Sequence, residues 1–158
     1  MEILTAKDIM NREVLTVSAE ISLQGLAEFL LRNSISGAPV TSENGELVGV
    51  VSTTDIIHHE TLLEKGLQSN NRHEYYIHTV EDRFSQQDLS SLHFEDESLV
   101  TVQDIMTPTI LEVGENDTVQ QVADTMIKNR IHRVFVTREK KPIGIISTGD
   151  MLKVIRDM

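Results

Sequence analysis

Two short segments of the chain combine residue types that could bind a phosphorylated, sugar-containing ligand. Each has the form Gly-φ-φ-Ser-Thr-x-Asp, where φ is aliphatic, at Gly49 to Asp55 and at Gly144 to Asp150. Each segment is predicted to join a strand to a helix, with the serine at the helix N-terminus and the aspartate in its first turn. Backbone N–H groups and a hydroxyl at a helix start bind anions, and a carboxylate accepts hydrogen bonds from a ribose diol.

A simpler interpretation of the same residues is helix capping. The serine would accept a hydrogen bond from a backbone N–H, and the aspartate would complement the helix dipole. The two interpretations are compatible, because both use the same geometry. The joint recurrence of glycine, serine and aspartate at matched positions favours a ligand role, since capping alone does not require all three.

The next candidate feature is the tripeptide Ile131-His132-Arg133, which stands where the first half of the chain has Ile35-Ser36-Gly37. Arginine offers a bidentate fork to a phosphate, and histidine a directional donor. The alternative is a solvated basic pair near a helix C-terminus, where the dipole favours cations. In either case the asymmetry predicts that any two ligand sites are not equivalent.

These features belong to an internal repeat. Residues 5–43 realign with residues 101–139 at an offset of 96, and residues 49–55 realign with 144–150 at an offset of 95. A repeat is one supersecondary unit that cannot bury its apolar face alone. We therefore predict an α/β (α+β) fold of two β-α-β-β-α repeats, related by a pseudo-two-fold axis, packed into one compact module with a cleft between them. The predicted division is repeat one at 1–60, an insertion or linker at 61–100, and repeat two at 101–158.

Hydrophobic spacing predicts the elements of each repeat. First strands are expected at Val14–Val17 and Ile110–Val113, each after a short helical turn. The first long helices carry apolar residues at i, i+3, i+4, i+7 and i+8, the pattern of a core-facing stripe. These stripes are Leu23, Leu26, Ala27, Leu30 and Leu31 in repeat one, and Val119, Val122, Ala123, Met126 and Ile127 in repeat two. Ser22, and Asp117 or Thr118, stand at the N-cap positions.

A hairpin follows each of these helices. In repeat one, Ala38–Thr41 is predicted to pair with Leu47–Val51 across a turn that contains Asn44-Gly45, a strong hairpin signal. In repeat two, Val134–Thr137 and Ile143–Ile146 are predicted to pair across Glu139–Lys141.

Residues 61–100 have no counterpart in repeat two, and they are polar and acidic. Part of this segment is predicted to extend the helix after Asp55, with Gly66 as its stop, and the rest is predicted to be a long surface insertion. Histidines cluster in and just before it, at His58, His59, His73, His78 and His93. Their spacing fits no standard zinc pattern and the chain has no cysteine, so we predict no metal site.

Composition excludes several classes of function. The net charge of −11 argues against binding to nucleic acid or anionic membranes, which depends on cations. Residues 101–158 are neutral overall and hold the cations expected to contact a small anion: Lys128, Arg130, Arg133, Arg138, Lys140 and Lys141. No apolar run approaches the roughly 18 residues that would indicate a membrane span. The first residues lack the pattern of a signal peptide, so a cytoplasmic protein is expected.

Taken together, both repeats resemble CBS motifs, the domain first recognised in cystathionine beta-synthase, which occurs in tandem pairs. The resemblance covers about Thr5–His59 and Thr101–Ile155. It rests on Asp-Ile-Met before the first strand, the aliphatic helix, Gly-Ala-Pro-Val or His-Arg-Val-Phe-Val in the hairpin, and the Gly-φ-φ-Ser-Thr-x-Asp ending.

The resemblance implies a regulatory module that binds AMP, ADP, ATP or a related adenosine ligand between its repeats. It also implies two clefts, each drawing residues from both repeats. The first would combine Ser52, Thr54, Asp55, Thr107, Ile110, Ile131, His132 and Arg133. The second would combine Thr16, Ile35, Ser36, Ala38, Ser147 and Asp150. We favour the first cleft, because it contains the cations.

The resemblance further implies a homodimer, since CBS pairs tend to associate into a flat disc, and a regulated protein that the sequence does not identify. No nucleophile–base pair or carboxylate dyad emerges, so no catalytic residues and no catalytic cofactor are predicted. The alternative function is a ligand-independent interaction module that uses the disc and the acidic insertion.

Overall fold

The computed structural model describes residues 3–65, 74–77 and 100–158, with side chains given throughout except at 60–65, 74 and 77. By its internal contacts the chain divides into two compact units. Unit 1 comprises Met1–Val14 and Leu111–Met158, and unit 2 comprises Leu15–Ile110. The segment that precedes repeat one therefore belongs to unit 1, together with most of repeat two. The segment that precedes the first strand of repeat two belongs to unit 2, together with most of repeat one.

In its described residues, unit 2 contains a three-stranded sheet of order β1-β2-β3 and four helices. Its elements are β1 Val17–Ser18, α2 Leu23–Asn33, β2 Gly37–Thr41, β3 Leu47–Ser52, α3 Thr53–Lys65, α4 Glu74–Ile77 and α5 Val102–Ile105. β1 runs parallel to β2, and β2 runs antiparallel to β3. Its core includes the apolar face of α2, residues of β2 and β3, and Val102 of α5, which is fully buried.

Unit 1 repeats this arrangement with a sheet of order β4-β5-β6. Its elements are α1 Ala6–Ile9, β4 Glu112–Gly114, α6 Val119–Asn129, β5 Arg133–Arg138, β6 Lys141–Ser147 and α7 Thr148–Arg156. β4 is parallel to β5 and β5 is antiparallel to β6. Phe135 and Ile146 are fully buried in this unit. The mixed α/β class and the β-α-β-β-α order of each repeat are thus confirmed.

The leading helices are fixed by backbone hydrogen bonds to the turn that precedes the long helix of their unit. In unit 1 the Ala6 N–H donates to the Asp117 carbonyl at 2.8 Å. In unit 2 the Val102 N–H donates to the Ile21 carbonyl at 2.9 Å. Both helices have a capping box, formed by Thr5 with Asp8 and by Thr101 with Asp104. Their four-residue length explains why they need these external partners, since an isolated turn of helix is unstable.

Helix ends follow the sequence prediction closely. Ser22 caps α2 by accepting from the Gly25 N–H at 3.0 Å. Of the two candidates at the second position, Thr118 is the N-cap of α6, and Asp117 instead accepts from the Gly114 N–H at 2.9 Å.

Both predicted hairpins form. β2 and β3 pair from Gly37↔Ser52 to Thr41↔Leu47, and β5 and β6 pair from Arg133↔Ser147 to Arg138↔Lys141. In the second hairpin Lys141 is a strand residue, and Glu139 and Lys140 make the turn in the left-handed region, with φ of 52° and 68°. A two-residue turn of this conformation matches the right-handed twist of the paired strands.

Three expectations are corrected. The first strands are shorter and begin later than predicted, at Val17 and Glu112, because the ladder to the neighbouring strand starts only there. Ile127 is 74% exposed, so the core-facing stripe of α6 stops at Met126. The insertion is not entirely a surface segment, because Tyr75 and Tyr76 are 6% and 0% exposed. Helix α3 extends to Lys65 as expected, and Gly66 lies outside the described residues.

Candidate functional site

The strand-to-helix junction of unit 2 is a buried capping box. β3 ends at Ser52 and α3 begins at Thr53. The Ser52 N–H donates to Asp55 Oδ2 at 2.8 Å, and the Asp55 N–H donates to Ser52 Oγ at 3.4 Å. Ser52, Thr53, Thr54 and Asp55 are between 2% and 6% exposed. The polar groups predicted to bind phosphate and ribose are therefore together at one helix start and shielded from water.

The junction of unit 1 has the same hydrogen bonds in a more open setting. The Ser147 N–H donates to Asp150 Oδ2 at 2.8 Å, and the Asp150 N–H donates to Ser147 Oγ at 3.3 Å. Ser147 and Asp150 are half-buried, and the two residues between them are exposed. Lys153 Nζ lies 3.6 Å from Asp150 Oδ1, one turn along α7. The capping interpretation is thus confirmed at both junctions, and a ligand role remains a prediction.

Close packing against a neighbouring segment explains why each junction has a glycine, Gly49 in unit 2 and Gly144 in unit 1. A Cβ on Gly49 would lie 2.7 Å from the Thr107 carbonyl oxygen and 2.9 Å from Met106 Sδ. A Cβ on Gly144 would overlap the side chain of Met10. Because the Asp-Ile-Met turn of a leading helix presses on the last strand of each unit, glycine recurs with the motif for steric reasons. Its recurrence therefore lends less support to a ligand role than the sequence alone implied.

The segment predicted to contact the base borders the junction of unit 2. Thr107 and Val50 exchange two backbone hydrogen bonds of 2.8 and 2.9 Å, which places Thr107 beside β3 two residues before Ser52. Ile110 follows and is half-buried. Ser52, Thr54, Asp55, Thr107 and Ile110 thus all belong to unit 2, and their role in one site remains a prediction. In unit 1 the matching bridge joins Asn11 to Ile145.

The basic tripeptide lies at the start of β5 in unit 1, against the junction of its own repeat. The His132 carbonyl accepts from the Thr148 N–H at 2.9 Å, and Arg133 is the strand partner of Ser147. Ile131 is 5% exposed, His132 is exposed and Arg133 is half-buried. The structure thus groups the eight residues of the favoured cleft into five in unit 2 and three in unit 1, and their combination into one site remains a prediction.

The second predicted cleft is divided in the same way. Unit 2 holds Thr16, Ile35, Ser36 and Ala38, and unit 1 holds Ser147 and Asp150. The backbone carbonyl of Ser36 accepts a hydrogen bond from the Thr53 N–H at 2.8 Å. Ala38 is 1% exposed inside the sheet, so its side chain belongs to the core.

Two of the predicted counter-charges are held in ion pairs within unit 1. Arg138 forms a double hydrogen bond with Glu115, at 2.5 and 2.8 Å. This hydrogen bond lowers the pKa of Glu115 below its ordinary value of 4.5. Lys128 lies 2.8 Å from Asp124, whose hydrogen bond raises the pKa of Lys128. A ligand phosphate would have to compete with these carboxylates for either cation.

A cavity of about 550 Å³ lies between α1 and α7 in unit 1. Its lining includes Asp8, Asn11, Asp150 and Lys153. Asp150 thus faces open space within its unit, whereas Asp55 is buried. Within residues 3–65, 74–77 and 100–158, no three His, Cys, Asp or Glu side chains converge as a metal site would require, and His73, His78 and His93 lie outside these ranges.

Sequence reasoning missed the buried tyrosines of α4. The Tyr76 hydroxyl donates to the Thr109 carbonyl at 2.9 Å, and Tyr75 packs on Gly37. The available signal was the run Tyr75-Tyr76-Ile77 in an otherwise polar stretch, since these are the chain's two tyrosines. None of the helices in the described ranges is long and apolar enough to cross a membrane.

Comparison with known proteins identifies a recurrent domain. The CBS domain family matches the chain at residues 6–61 and 102–157. The uncharacterized protein MJ1426 of Methanocaldococcus jannaschii is 27% identical over 98% of this chain and 92% of its own length. The L-aspartate semialdehyde sulfurtransferase of the same organism is 24% identical over 94% of this chain, which spans 22% of that protein.

Solved structures share the fold. CBSX2 in complex with AMP is similar with a TM-score of 0.65 and 23% identity, over 98% of this chain and 97% of its own. The CBS domain pair of protein MJ0100, solved with 5′-methylthioadenosine and S-adenosyl-L-methionine, is similar with a TM-score of 0.62 and 23% identity, over 99% and 98%. At these identities the likeness establishes the fold alone, a mixed α/β chain with two three-stranded sheets and helices.

Proposed function

Since the chain belongs to the CBS-domain family and carries two copies of the domain, we propose that it is a regulatory module that binds an adenosine-type ligand. Binding would be reported by a change of conformation, which requires that the ligand bind one conformation more tightly than another. The observation that carries the proposal is the duplicated junction, which presents serine, aspartate and helix-start N–H groups at Ser52–Asp55 and Ser147–Asp150. The ligands of CBSX2 and MJ0100 support the adenosine class.

In the favoured cleft we assign Ser52, Thr54 and Asp55 to the phosphate and ribose. Thr107, Ile110 and Ile131 are assigned to the base, and His132 and Arg133 to phosphate. In the second cleft the proposed residues are Thr16, Ile35, Ser36 and Ala38 with Ser147 and Asp150. AMP and ATP are the first nucleotides to test. The proposed role is regulatory and not catalytic. The chain spans 22% of the sulfurtransferase that it resembles, and that protein's activity is not carried over.

A thermal-shift screen with AMP, ADP, ATP, 5′-methylthioadenosine and S-adenosylmethionine tests the ligand class. A ligand present at about 100 to 1,000 times its dissociation constant should raise the free energy of unfolding by about 3–4 kcal/mol. GMP and inorganic phosphate serve as controls for the base and for bare anion binding. If none of the adenosine compounds raises the melting temperature more than these controls do, the proposed function is wrong.

Calorimetric titration of three variants tests the assignment of the cleft. Asp55→Asn and Arg133→Ala should each weaken binding by about ten- to a hundredfold, because each removes a charge-assisted hydrogen bond. Asp150→Asn is the matched control and should have a smaller effect. Asparagine is chosen because its amide oxygen can still cap the helix. Equal losses at Asp55 and Asp150 would remove the preference for the first cleft.

An exposed apolar face favours a further proposal, that two copies of the chain associate. Leu152 and Ile155 are 59% and 63% exposed on one face of α7, three residues apart, and Ile127 is exposed on α6. Exposed apolar patches mark association surfaces, and a second copy is the occupant expected of a CBS pair. The same face would serve the alternative function, a ligand-independent interaction module, if its occupant is instead another protein.

Sedimentation equilibrium separates these occupants. The wild type should be a dimer, and the double variant Leu152→Ser with Ile155→Ser should be a monomer with an unchanged circular dichroism spectrum. Leu15→Ser is the control, since Leu15 is 46% exposed in unit 2. A wild-type monomer at micromolar concentration would exclude self-association as the use of this face.

A further inference from the structure

The short helix α4 brings two aromatic rings to the junction of unit 2. Tyr75 and Tyr76 are 6% and 0% exposed, and their rings meet edge to face with centroids 5.5 Å apart. Two buried tyrosines are unexpected in a segment that is otherwise polar and acidic, so the residues that their rings contact indicate why they are buried. The residues contacted, Gly37 and Thr109, are next to residues that the proposed function assigns to a ligand. Gly37 follows Ser36 of the second cleft, and Thr109 precedes Ile110 of the favoured cleft.

Tyr75 lies against the hairpin end of the junction. A Cβ on Gly37 would be 2.7 Å from Tyr75 Cδ2, so the ring packs directly on the Gly37 backbone. Gly37 is the strand partner of Ser52. The neighbouring Ser36 carbonyl accepts from the Thr53 N–H, the first amide of α3. Tyr75 therefore covers the backbone directly beside Ser52 and Thr53.

Tyr76 occupies the other side, at the segment assigned to the base. Its hydroxyl donates to the Thr109 carbonyl at 2.9 Å, one residue before Ile110. A planar aromatic ring with a donor at its edge, aimed at a backbone carbonyl, uses the chemistry with which an adenine ring and its amino group would bind the same carbonyl. If an adenine binds at this carbonyl, Tyr76 therefore occupies its place.

We propose that Tyr75 and Tyr76 form an internal cover of the unit 2 site, and that α4 and an adenosine ligand exclude each other. This inference rests on the proposed function, because it names the segment that the ligand displaces. In keeping with it, Ser52–Asp55 are 6% exposed or less, while the matched junction of unit 1 is half-buried and exposed between its ends. Release of α4 would couple the position of this helix to ligand occupancy.

The cover makes a quantitative prediction for affinity. When a binding-competent state is only partly populated, the apparent dissociation constant is the intrinsic one divided by the populated fraction. Tyr76→Phe keeps the ring and removes its hydrogen bond to Thr109, so it should tighten AMP binding by about 3- to 10-fold. Tyr76→Ala should tighten it further. Gln120→Ala, an exposed change on α6, is the control and should leave the affinity unchanged.

Spectroscopy gives a readout that does not depend on affinity. The chain has two tyrosines and no tryptophan, so 3-fluorotyrosine labelling produces two ¹⁹F signals, both from α4. Saturation of the labelled wild type with AMP should move both signals towards the position of the unfolded protein. GMP at the same concentration, which carries no amino group at the matching position of its base, should move them less.

The outcomes distinguish this inference from the proposed function. AMP binding with both ¹⁹F signals unmoved, or weaker binding by Tyr76→Phe and Tyr76→Ala, would overturn the cover and leave the ligand-binding function standing. Tighter binding by the variants together with displaced signals would support both. If neither the wild type nor Tyr76→Ala binds any adenosine compound, the function fails and the cover fails with it.

Discussion

The two strand-to-helix junctions share one hydrogen-bond pattern and differ in their access to solvent. In both, a serine N–H donates to the Oδ2 atom of an aspartate three residues later at 2.8 Å. Ser52–Asp55 is buried, while Ser147–Asp150 is half-exposed and borders a cavity of about 550 Å³. The local sequence therefore determines the cap, whereas the surrounding elements determine how far it is exposed to solvent.

Different segments pack beside the two motifs. After the unit 2 motif the chain continues through α3 and returns as α4, whose tyrosines contact Gly37 and Thr109. After the unit 1 motif the chain continues as α7, which lines the cavity with Asp150 and Lys153. Two copies of one motif can thus differ in solvent exposure although both keep the glycine, serine and aspartate of the motif.

The largest expected effect is on stability, through the two aspartates. Asp55→Ala should lower the free energy of unfolding by about 3 kcal/mol, because it leaves the buried Ser52 N–H without its acceptor and removes a helix cap. Asp150→Ala should cost about 1 kcal/mol, since water can replace the lost acceptor at a half-exposed site. Urea unfolding of both variants measures the difference.

Asp55→Asn and Asp150→Asn are the matched controls for that comparison, because each retains an oxygen acceptor. Each asparagine variant should recover part of the free energy of unfolding that the alanine variant loses, and the recovery should be larger at position 55 than at position 150. Alanine variants that agree to within about 0.5 kcal/mol would show that the greater burial of Asp55 has no energetic consequence, and the contrast between the junctions would then be geometric only.

A somewhat smaller effect should distinguish the junction glycines. Gly49→Ala and Gly144→Ala should each cost about 1–3 kcal/mol by overpacking. At Gly144 the obstruction is the Met10 side chain, whereas at Gly49 it includes the Thr107 carbonyl. Met10→Ala should therefore rescue part of the loss in Gly144→Ala, and Met106→Ala should rescue less in Gly49→Ala. Double-mutant cycles measure the two coupling energies, and equal couplings would contradict a backbone obstruction in unit 2.

Much of each unit could be predicted from sequence, because its determinants are local. Propensity and period alone predict the cap at Ser22, both hairpins and the stripe Leu23, Leu26, Ala27 and Leu30. For the second helix they left Asp117 and Thr118 as alternative caps, of which Thr118 is the N-cap. The prediction for Ile127 was wrong for an instructive reason. Periodicity identifies an apolar face, but it cannot tell whether another part of the same chain covers the end of that face.

Features that depend on distant contacts could not be predicted in this way. Helix α1 packs in the unit that contains repeat two, and helix α5 packs in the unit that contains repeat one. Both are fixed by backbone hydrogen bonds, such as the one from the Ala6 N–H to the Asp117 carbonyl, and backbone hydrogen bonds leave no pattern of side chains in the sequence. The burial of Tyr75 and Tyr76 depends on a close approach to Gly37. For the site, sequence located the serines and aspartates, but it could not show that one set, Ser52–Asp55, is buried.

The smallest expected effect is a pH dependence that belongs to unit 1. Glu115 and Arg138 form their ion pair there, while the matched positions of unit 2 hold Ala19 and Ser42. The hydrogen bond from Arg138 holds the pKa of Glu115 below its ordinary value of 4.5. A carboxyl whose pKa is depressed by folding contributes stability above its unfolded pKa and loses it as the pH falls through the folded pKa.

The variants Glu115→Gln and Arg138→Gln should therefore have slightly lower melting temperatures at pH 7, and should lose less stability than the wild type on acidification below about pH 4.5. Their effects should not add in the double variant, because both remove one interaction. Melting curves from about pH 7 to about pH 3 that run parallel for all four proteins would show that this ion pair does not contribute to the stability of unit 1.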